Sequence, residues 1–369
     1  MTQIEIWISR SVNISSSQEI ELFYSKYNVS LLFIYSALGN NEAIERILSV
    51  TSKFINDCHG AIENAAPIHV AIALEHRDVV KSLVKAGADV NNICYVYPPL
   101  VLSVALNQTY TAQFLMTEEE ANLNLRDNLS NSTALIFAIR NQNLLVTQEL
   151  LKREIVDVNI LNVYRQTPFH QLAAFNSGLR FNAWADIGKR LIHCSVDINA
   201  KDSIGYSALH YSVIRDSFGW TEFFIDNKAD VNIEDNDGNT PLHYSVVRDN
   251  VEVTDLLIRE RANLNFLNKA SEHPLLMKTR ILFNEIVESN NNIRNNKTDS
   301  AVKIIKTLIE AGASLNQRSI TTGKTSLYFM SVAGQKDTVK QLLSHGADPN
   351  IVSFYGNTPL TSCYTWGFD

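Results

Sequence analysis

Cysteine is scarce in this sequence: four in 369 residues, at positions 58, 94, 194 and 363. No two stand as Cys-x-x-Cys and no Cys/His group has zinc spacing, so a structural zinc site is not expected. Four thiols scattered through so long a chain fit a reducing compartment, where they would stay unpaired and act as small buried hydrophobes. Long apolar runs are also missing. No window approaches the roughly 20 residues of a membrane-spanning helix. Residues 1–29 lack the basic start and continuous apolar run of a secretory signal. Neither sign of charge dominates: 32 Lys and Arg stand against 39 Asp and Glu, for a net charge of −7 and a pI near 5.7. Such a field repels phosphate, so nucleic acid and anionic lipid are poor partners.

The signatures of catalysis are lacking as well. There is no Gly-x-Gly-x-x-Gly, no phosphate loop, no Gly-x-Ser-x-Gly elbow and no kinase set. Gly323-Lys324-Thr325 echoes the end of a phosphate loop, but the required upstream glycine is absent. The nine histidines include no His-Glu-x-x-His. Carboxylate pairs such as Asp235/Asp237, and the run Glu118 to Glu120, read as solvated turns. Sequons at Asn13 and Asn131 are chance matches in an Asn-rich chain. An enzyme is not expected, nor a cofactor or a metal.

What the chain does have is a phrase that returns. Asn239-Thr240-Pro241-Leu242-His243 has variants at Gln166-Thr167-Pro168-Phe169-His170, Tyr206-Ser207-Ala208-Leu209-His210 and Asn357-Thr358-Pro359-Leu360. A closing phrase returns as Gly87-Ala88-Asp89-Val90-Asn91, Ala229-Asp230-Val231-Asn232, Ala262-Asn263-Leu264-Asn265 and Gly346-Ala347-Asp348-Pro349-Asn350. Asp197, Asp230 and Asn263 are spaced by about 33 residues. Further units open near Pro98-Pro99-Leu100, Thr133-Ala134-Leu135, His273-Pro274-Leu275 and Thr325-Ser326-Leu327. Each unit reads as a helix pair. Thr240 caps the first helix, and Pro241 fits its first turn. Leu242 and Val246 share one face. Val253, Leu256 and Leu257 stripe the second helix. Gly87, Gly312 or Gly346 ends that helix in a left-handed conformation where it is kept. One pair cannot bury both its faces; stacked neighbours complete the core.

This pattern resembles the ankyrin-repeat family over residues 30–369, all but a non-repeat leader at 1–29. The resemblance implies an all-α solenoid of stacked helix-turn-helix units with β-turn or hairpin tips, about ten repeats, the last incomplete. It also implies that His69, His170, His210 and His243, which share one slot, bond turn backbone between neighbours. Two units are longer than the period: insertions lie near 176–185 and 283–300. The first carries Leu179, Phe181 and Trp184, to fold over a neighbour or to present a binding surface. The second, from Phe283 to Ser300, is polar and is expected to be a mobile loop in a weak or kinked unit. The chain ends after half a unit, which reads either as a fragment of a longer protein, the favoured reading, or as an unusual docked cap.

Ankyrin-like arrays present turn tips and first-helix residues on a concave face. Carried through the motif, those slots hold Tyr95, Tyr97, Arg140, Tyr164, Phe175, Tyr206, Arg215, Asp237 and Arg248. Tyr and Arg are enriched where interfaces concentrate their energy. The expected function is therefore a non-catalytic scaffold that binds a partner protein on this face, as a cytoplasmic or nuclear monomer without nucleic acid or membrane partners. The chain also looks similar to degenerate poxviral and arthropod arrays. That likeness implies, as an alternative, the substrate-recruiting arm of a ubiquitin-ligase adaptor, and more distantly the array of a latrotoxin-like membrane-acting toxin.

Overall fold

Short amphipathic segments, each opened by a capping turn, set the architecture. Thr133, Ser207 and Thr325 each accept an N–H three residues on, at 3.3–3.4 Å. Pro67, Pro99 and Pro241 fill first-turn positions. Most first helices are only two turns long, too short to persist alone, and are held by burial: Leu242, Val246, Val253 and Leu257 are fully enclosed.

The computed structural model describes residues 16–59, 64–118, 120–174, 181–288 and 296–366. Within them a leading helix, α1 (Ser17–Tyr27), packs on the first repeat. Nine helix pairs follow: α2 and α3 (Leu31–Leu38, Asn41–Val50), α4 and α5 (Pro67–Ala73, Arg77–Lys85), α6 and α7 (Pro99–Ala105, Thr109–Thr117), α8 and α9 (Ala134–Arg140, Leu144–Leu151), α10 and α11 (Pro168–Ala173, Phe181–His193), α12 and α13 (Ala208–Ile214, Phe218–Asp226), α14 and α15 (Pro241–Val247, Val251–Arg259), α16 and α17 (Pro274–Glu288, Asn296–Glu310), and α18 and α19 (Ser326–Val332, Lys336–Ser344). A single first helix, α20 (Pro359–Trp366), makes the tenth repeat incomplete. No strand is named among the described residues; two isolated bridges, His59 to Ala65 and Arg126 to Thr133, mark hairpin-like tips.

The chain contacts divide into two compact units, Met1–Pro168 with Lys189–Cys194, and Phe169–Gly188 with Ser195–Asp369. In the first unit α2 stacks on α4, α4 on α6 and α6 on α8, while α3 meets α5 and α7 meets α9. In the second, α12, α14, α16, α18 and α20 form one row and α13, α15, α17 and α19 the other. The chain reverses inside a pair through a left-handed residue. Asn107, Gln142, Asp216 and Asp249 take this conformation (φ 53–58°) where Gly39 and Gly334 take it elsewhere. Gly87, Gly312 and Gly346 end their second helices at φ 90–94°.

The closing phrase has a double role. Asp89, Asp197, Asp230 and Asp348 each accept, through Oδ1, the N–H two residues on, which folds the turn. The Asn that follows reaches the next repeat. Asn91 Oδ1 takes the N–H of Asn122, Asn124 that of Asp157, Asn199 that of Asp230, Asn232 that of Asn263, Asn265 that of Ser314 and Asn316 that of Asp348, all at 2.7–2.8 Å.

Several expectations change. The polar insertion at 283–300 is largely helical: α16 runs on to Glu288 and α17 starts at Asn296, leaving 289–295 outside the described residues. Its repeat is not isolated, since α16 packs on α14 and α18, and α17 on α15 and α19. Helix propagation explains the difference, because extending a helix that neighbours already hold is far easier than nucleating one. In the first insertion, Phe181 and Trp184 belong to α11, where Trp184 is 1% exposed; Leu179 lies outside the described residues. Finally, Cys58 and Cys94 are disulfide-bonded and Cys194 is an exposed free thiol. The picture of four unpaired, buried thiols fails because stacking brings two tips together, and the reducing compartment inferred from it loses that support.

Candidate partner-binding face

The repeating histidines tie each tip to its neighbour. In His69, His210 and His243, Nδ1 accepts the N–H of Ala66, Ser207 and Thr240 at 3.1–3.2 Å, which leaves the proton on Nε2. Nε2 then donates to a carbonyl of the next repeat: Asn92 for His69, Asn239 for His210 and Glu272 for His243, at 3.1–3.2 Å. His170 makes the same kind of bond to the Tyr206 carbonyl at 2.9 Å. Burial lowers all four pKa values, to about 4 for His69 and His210, although the backbone carbonyls favour the charged form. These rings are neutral and buried, bonded to the backbone of the next repeat, which is a structural role.

The tips are Asx turns. Oδ1 of Asn92, Asp127, Asn162, Asp202, Asp235 and Asn268 accepts the N–H two residues on, at 2.7–3.0 Å. The Asp127 carboxylate accepts four hydrogen bonds. Burial opposes its ionisation, yet the Ser130 hydroxyl and the N–H groups of Ser130, Ser132 and Leu129 outweigh this and hold its pKa below the usual carboxylate range. Backbone bonds join consecutive tips: Asn128 N–H to the Val96 carbonyl and Val163 N–H to that of Ser130 in the first unit, Lys269 N–H to that of Asp237 in the second. Gly205 sits so near the next tip that a Cβ would lie 2.3 Å from the Asn236 nitrogen.

In the first unit Tyr95 and Tyr97 are half-buried, not free. Tyr95 lies 5.4 Å from the His69 ring and 6.2 Å from Tyr97, which meets Phe137 edge-on at 5.9 Å. Arg140 is exposed, its guanidinium 4.2 Å from the Phe137 ring centre. Tyr164 is 59% exposed beside the exposed Val163, and Leu129 is exposed on the preceding tip. Phe175 lies outside the described residues.

In the second unit Tyr206 is half-buried at the centre of a cluster. Its ring stacks on His210 at 5.7 Å and meets Tyr211 and Tyr244 edge-on at 5.7 and 5.5 Å. Tyr211 donates to Asp202 Oδ2 at 2.8 Å, and Tyr244 donates to Asp235 Oδ2. A hydroxyl has one proton, so the 3.0 Å contact between the Tyr244 and Tyr206 hydroxyls uses the proton of Tyr206. Burial and the Asp235 bond raise the Tyr244 pKa and keep it protonated. Arg215, Asp237 and Arg248 are exposed around the cluster, and Arg248 pairs with Asp216 at 3.0 Å. Tyr211 and Tyr244 were not among the expected contact residues. Their signal is a copied spacing, since each stands nine residues after the Asp it bonds.

Lys324, in the phosphate-loop echo, lies within 4.8–5.9 Å of the Tyr328, Phe283 and Phe329 rings, and burial lowers its pKa. No group of three His, Cys, Asp or Glu able to hold a metal, and no helix long and apolar enough to cross a membrane, is found among the described residues.

Models of ankyrin repeats match residues 179–268 as three copies, and residues 64–94 and 322–354 as single repeats. The chain is an ankyrin-repeat array. It is similar to the ankyrin repeat domain of Bcl-3, with a TM-score of 0.51 and 22% identity over 63% of this chain and 93% of that one, a likeness of fold alone. An ankyrin repeat protein of fowlpox virus (strain NVSL) is 30% identical over 137 residues, 36% of this chain and 38% of its own length. The Neurogenic locus Notch protein of Drosophila melanogaster is 38% identical over 74 residues, 20% of this chain and 3% of Notch. This ankyrin array thus spans well under half the length of these relatives. Its repeats mark it as a protein-interaction scaffold.

Proposed function

We propose that this array binds a partner protein through its tips and first helices, with Tyr206, Tyr211 and Tyr244 as a rigid platform flanked by Arg215 and Arg248. On the first unit, considered by itself, Tyr97, Arg140 and Tyr164 are candidate contact residues, and Tyr95 supports Tyr97. The observation that carries this reading is the locked tyrosine cluster. An isolated surface tyrosine loses rotamer freedom on binding; three rings held edge-to-face, two of them fixed by Asp202 and Asp235, have little left to lose. The Arg248–Asp216 pair is exposed and contributes little to stability, so Arg248 can exchange Asp216 for an acidic group of the partner.

The test is quantitative capture of partners by the full chain and by a variant with Tyr97, Tyr164, Tyr206, Arg215 and Arg248 all changed to Ala. Each true anchor contributes roughly 1–3 kcal/mol, so partners kept by the parent chain should be lost from the folded variant. A variant that stays folded and retains the same partners rules the reading out.

A further inference from the structure

The second repeat is closed at its tips by a covalent bond. Cys58 stands in the turn before α4 and Cys94 in the turn before α6, with Cα atoms 6.1 Å apart and a sequence separation of 36. Helices α4 and α5 lie wholly inside that loop. The bond falls beside two first helices whose N-cap residues carry no hydroxyl. Later first helices are capped by hydroxyl-bearing residues, as at Thr133, Ser207 and Thr325. The two helices entered through the bridged tips, α4 and α6, have Ala66 and Pro98 as N-cap residues, and neither supplies a side-chain cap; at α4 the Ala66 N–H donates to His69 Nδ1 instead.

The bridged tip carries an aromatic ladder. Tyr95, next to Cys94, packs against the cluster of Phe33, Ala65 and Val70, and the ladder continues through Tyr97 to Phe137. Hydrogen bonds position the backbone around it: Cys94 N–H to Asn92 Oδ1 at 3.0 Å, His69 Nε2 to the Asn92 carbonyl at 3.2 Å, Asn92 Nδ2 to the Asn56 carbonyl at 3.4 Å, and Asn128 N–H to the Val96 carbonyl at 2.9 Å. Cys58 is exposed whereas Cys94 is half-buried, so solvent thiols reach the Cys58 sulfur first.

We infer that Cys58–Cys94 is a redox-operated clamp on this tip. Intact, it holds the turn that carries Tyr95 and Tyr97; reduced, it releases them while the second unit stays as it is. The reductant is a dithiol. One of its thiolates attacks the Cys58 sulfur, forming a mixed disulfide and expelling the Cys94 thiolate, which takes up a proton. The second thiol of the reductant then attacks the mixed disulfide and frees Cys58 as a thiol. The protein gains two electrons and two protons, and the dithiol leaves as its own disulfide. The consequence for partner binding rests on the reading above, because Tyr95 and Tyr97 are contact residues there; the clamp itself does not.

Alkylation and hydrogen-exchange mass spectrometry on the full chain, with and without dithiothreitol, test the clamp. Cys58 and Cys94 should resist alkylation before reduction and label after it. Exchange at residues 57–59 and 92–97 should then rise by roughly tenfold or more, with the tips at 202–206 and 235–239 unchanged. The Cys58→Ser/Cys94→Ser variant should show the reduced pattern without dithiothreitol. Labelling of both cysteines before reduction overturns the clamp. So does unchanged exchange after reduction, or loosening that spreads to the second-unit tips in either the reduced chain or the variant.

Discussion

The seventh and eighth repeats stand side by side and solve the same problem differently. In the seventh, Thr240 and His243 form a neutral network: the Thr240 N–H and hydroxyl lie 3.1 and 2.9 Å from His243 Nδ1, and Nε2 donates to the Glu272 carbonyl. In the eighth, His273 takes the Thr slot and Leu276 the His slot. His273 is 1% exposed, and neither of its ring nitrogens has a partner. Charges work there instead. Lys278, 0% exposed, lies 2.6 Å from Asp249, and Arg280 grips Glu272 through two bonds of 2.6 and 2.8 Å. Helices α16 and α17 are each 15 residues long, against 7 and 9 in the seventh repeat. A repeat can lose its signature and keep its place in the stack. It does so by burying more apolar helix and by holding charges that each depend on one partner.

That dependence makes the eighth repeat the easier to break. Lys278→Ala removes the cation paired with Asp249, and should destabilise the array by about 3–5 kcal/mol. Lys278→Met, which keeps the packing volume, should cost less. Urea titration checks both, and a loss under about 1 kcal/mol for Lys278→Ala would remove the contrast.

Acid acts on both repeats. The unfolded chain takes up histidine protons near pH 6.5. Burial lowers the pKa of His243 in the seventh repeat; in the eighth it lowers that of His273 to about 4, as it does for His210 in the sixth. Stability is therefore full above pH 6.5 and drains away as pH falls toward 4, by up to roughly 3 kcal/mol for each fully depressed ring. Urea midpoints should fall between pH 6.5 and 5, where most carboxylates are still ionised; flat midpoints there would contradict neutral buried rings.

The two slots can also be exchanged. His243→Leu, which copies the eighth repeat into the seventh, strands the Thr240 N–H and the Glu272 carbonyl and should cost roughly 1–3 kcal/mol. His273→Thr, the reverse, removes two orphaned nitrogens and supplies a cap, and should stabilise by about 1 kcal/mol. Thermal denaturation reads both, and equal signs would show that the slots are not equivalent.

The sequence made the regular repeats readable because their residues recur in register. The Thr-Pro-Leu-His slot and the Asp-x-Asn turns were visible as copied spacing. The Asn that reaches the next repeat carries no sequence signal of that role, because accepting the bond needs the next tip in place. Cys58 and Cys94 gave no local pattern, although their separation is close to one period, which puts them on neighbouring tips. Phe283 to Ser300 looked like a loop because its Asn-rich middle has no apolar period. Its flanks become helical because Leu282 on one side, and Ala301 and Ile304 on the other, are buried by the stack. Lys278 was illegible for the same reason: on its own helix it is one more lysine, and only the neighbouring repeats enclose it. Among the expected contact residues, Tyr95, Tyr97 and Tyr206 are half-buried because aromatic neighbours on their own and adjacent repeats cover them.

The central claim is that a locked tyrosine platform and its flanking arginines bind a partner protein. The direct measurement is the Kd of a captured partner for the parent chain and for the Tyr206→Ala/Arg248→Ala variant, with thermal midpoints recorded alongside. The account predicts a loss of affinity of about a hundredfold or more, two anchors of roughly 1–3 kcal/mol each, with the variant still folded. An unchanged Kd in a folded variant would contradict it.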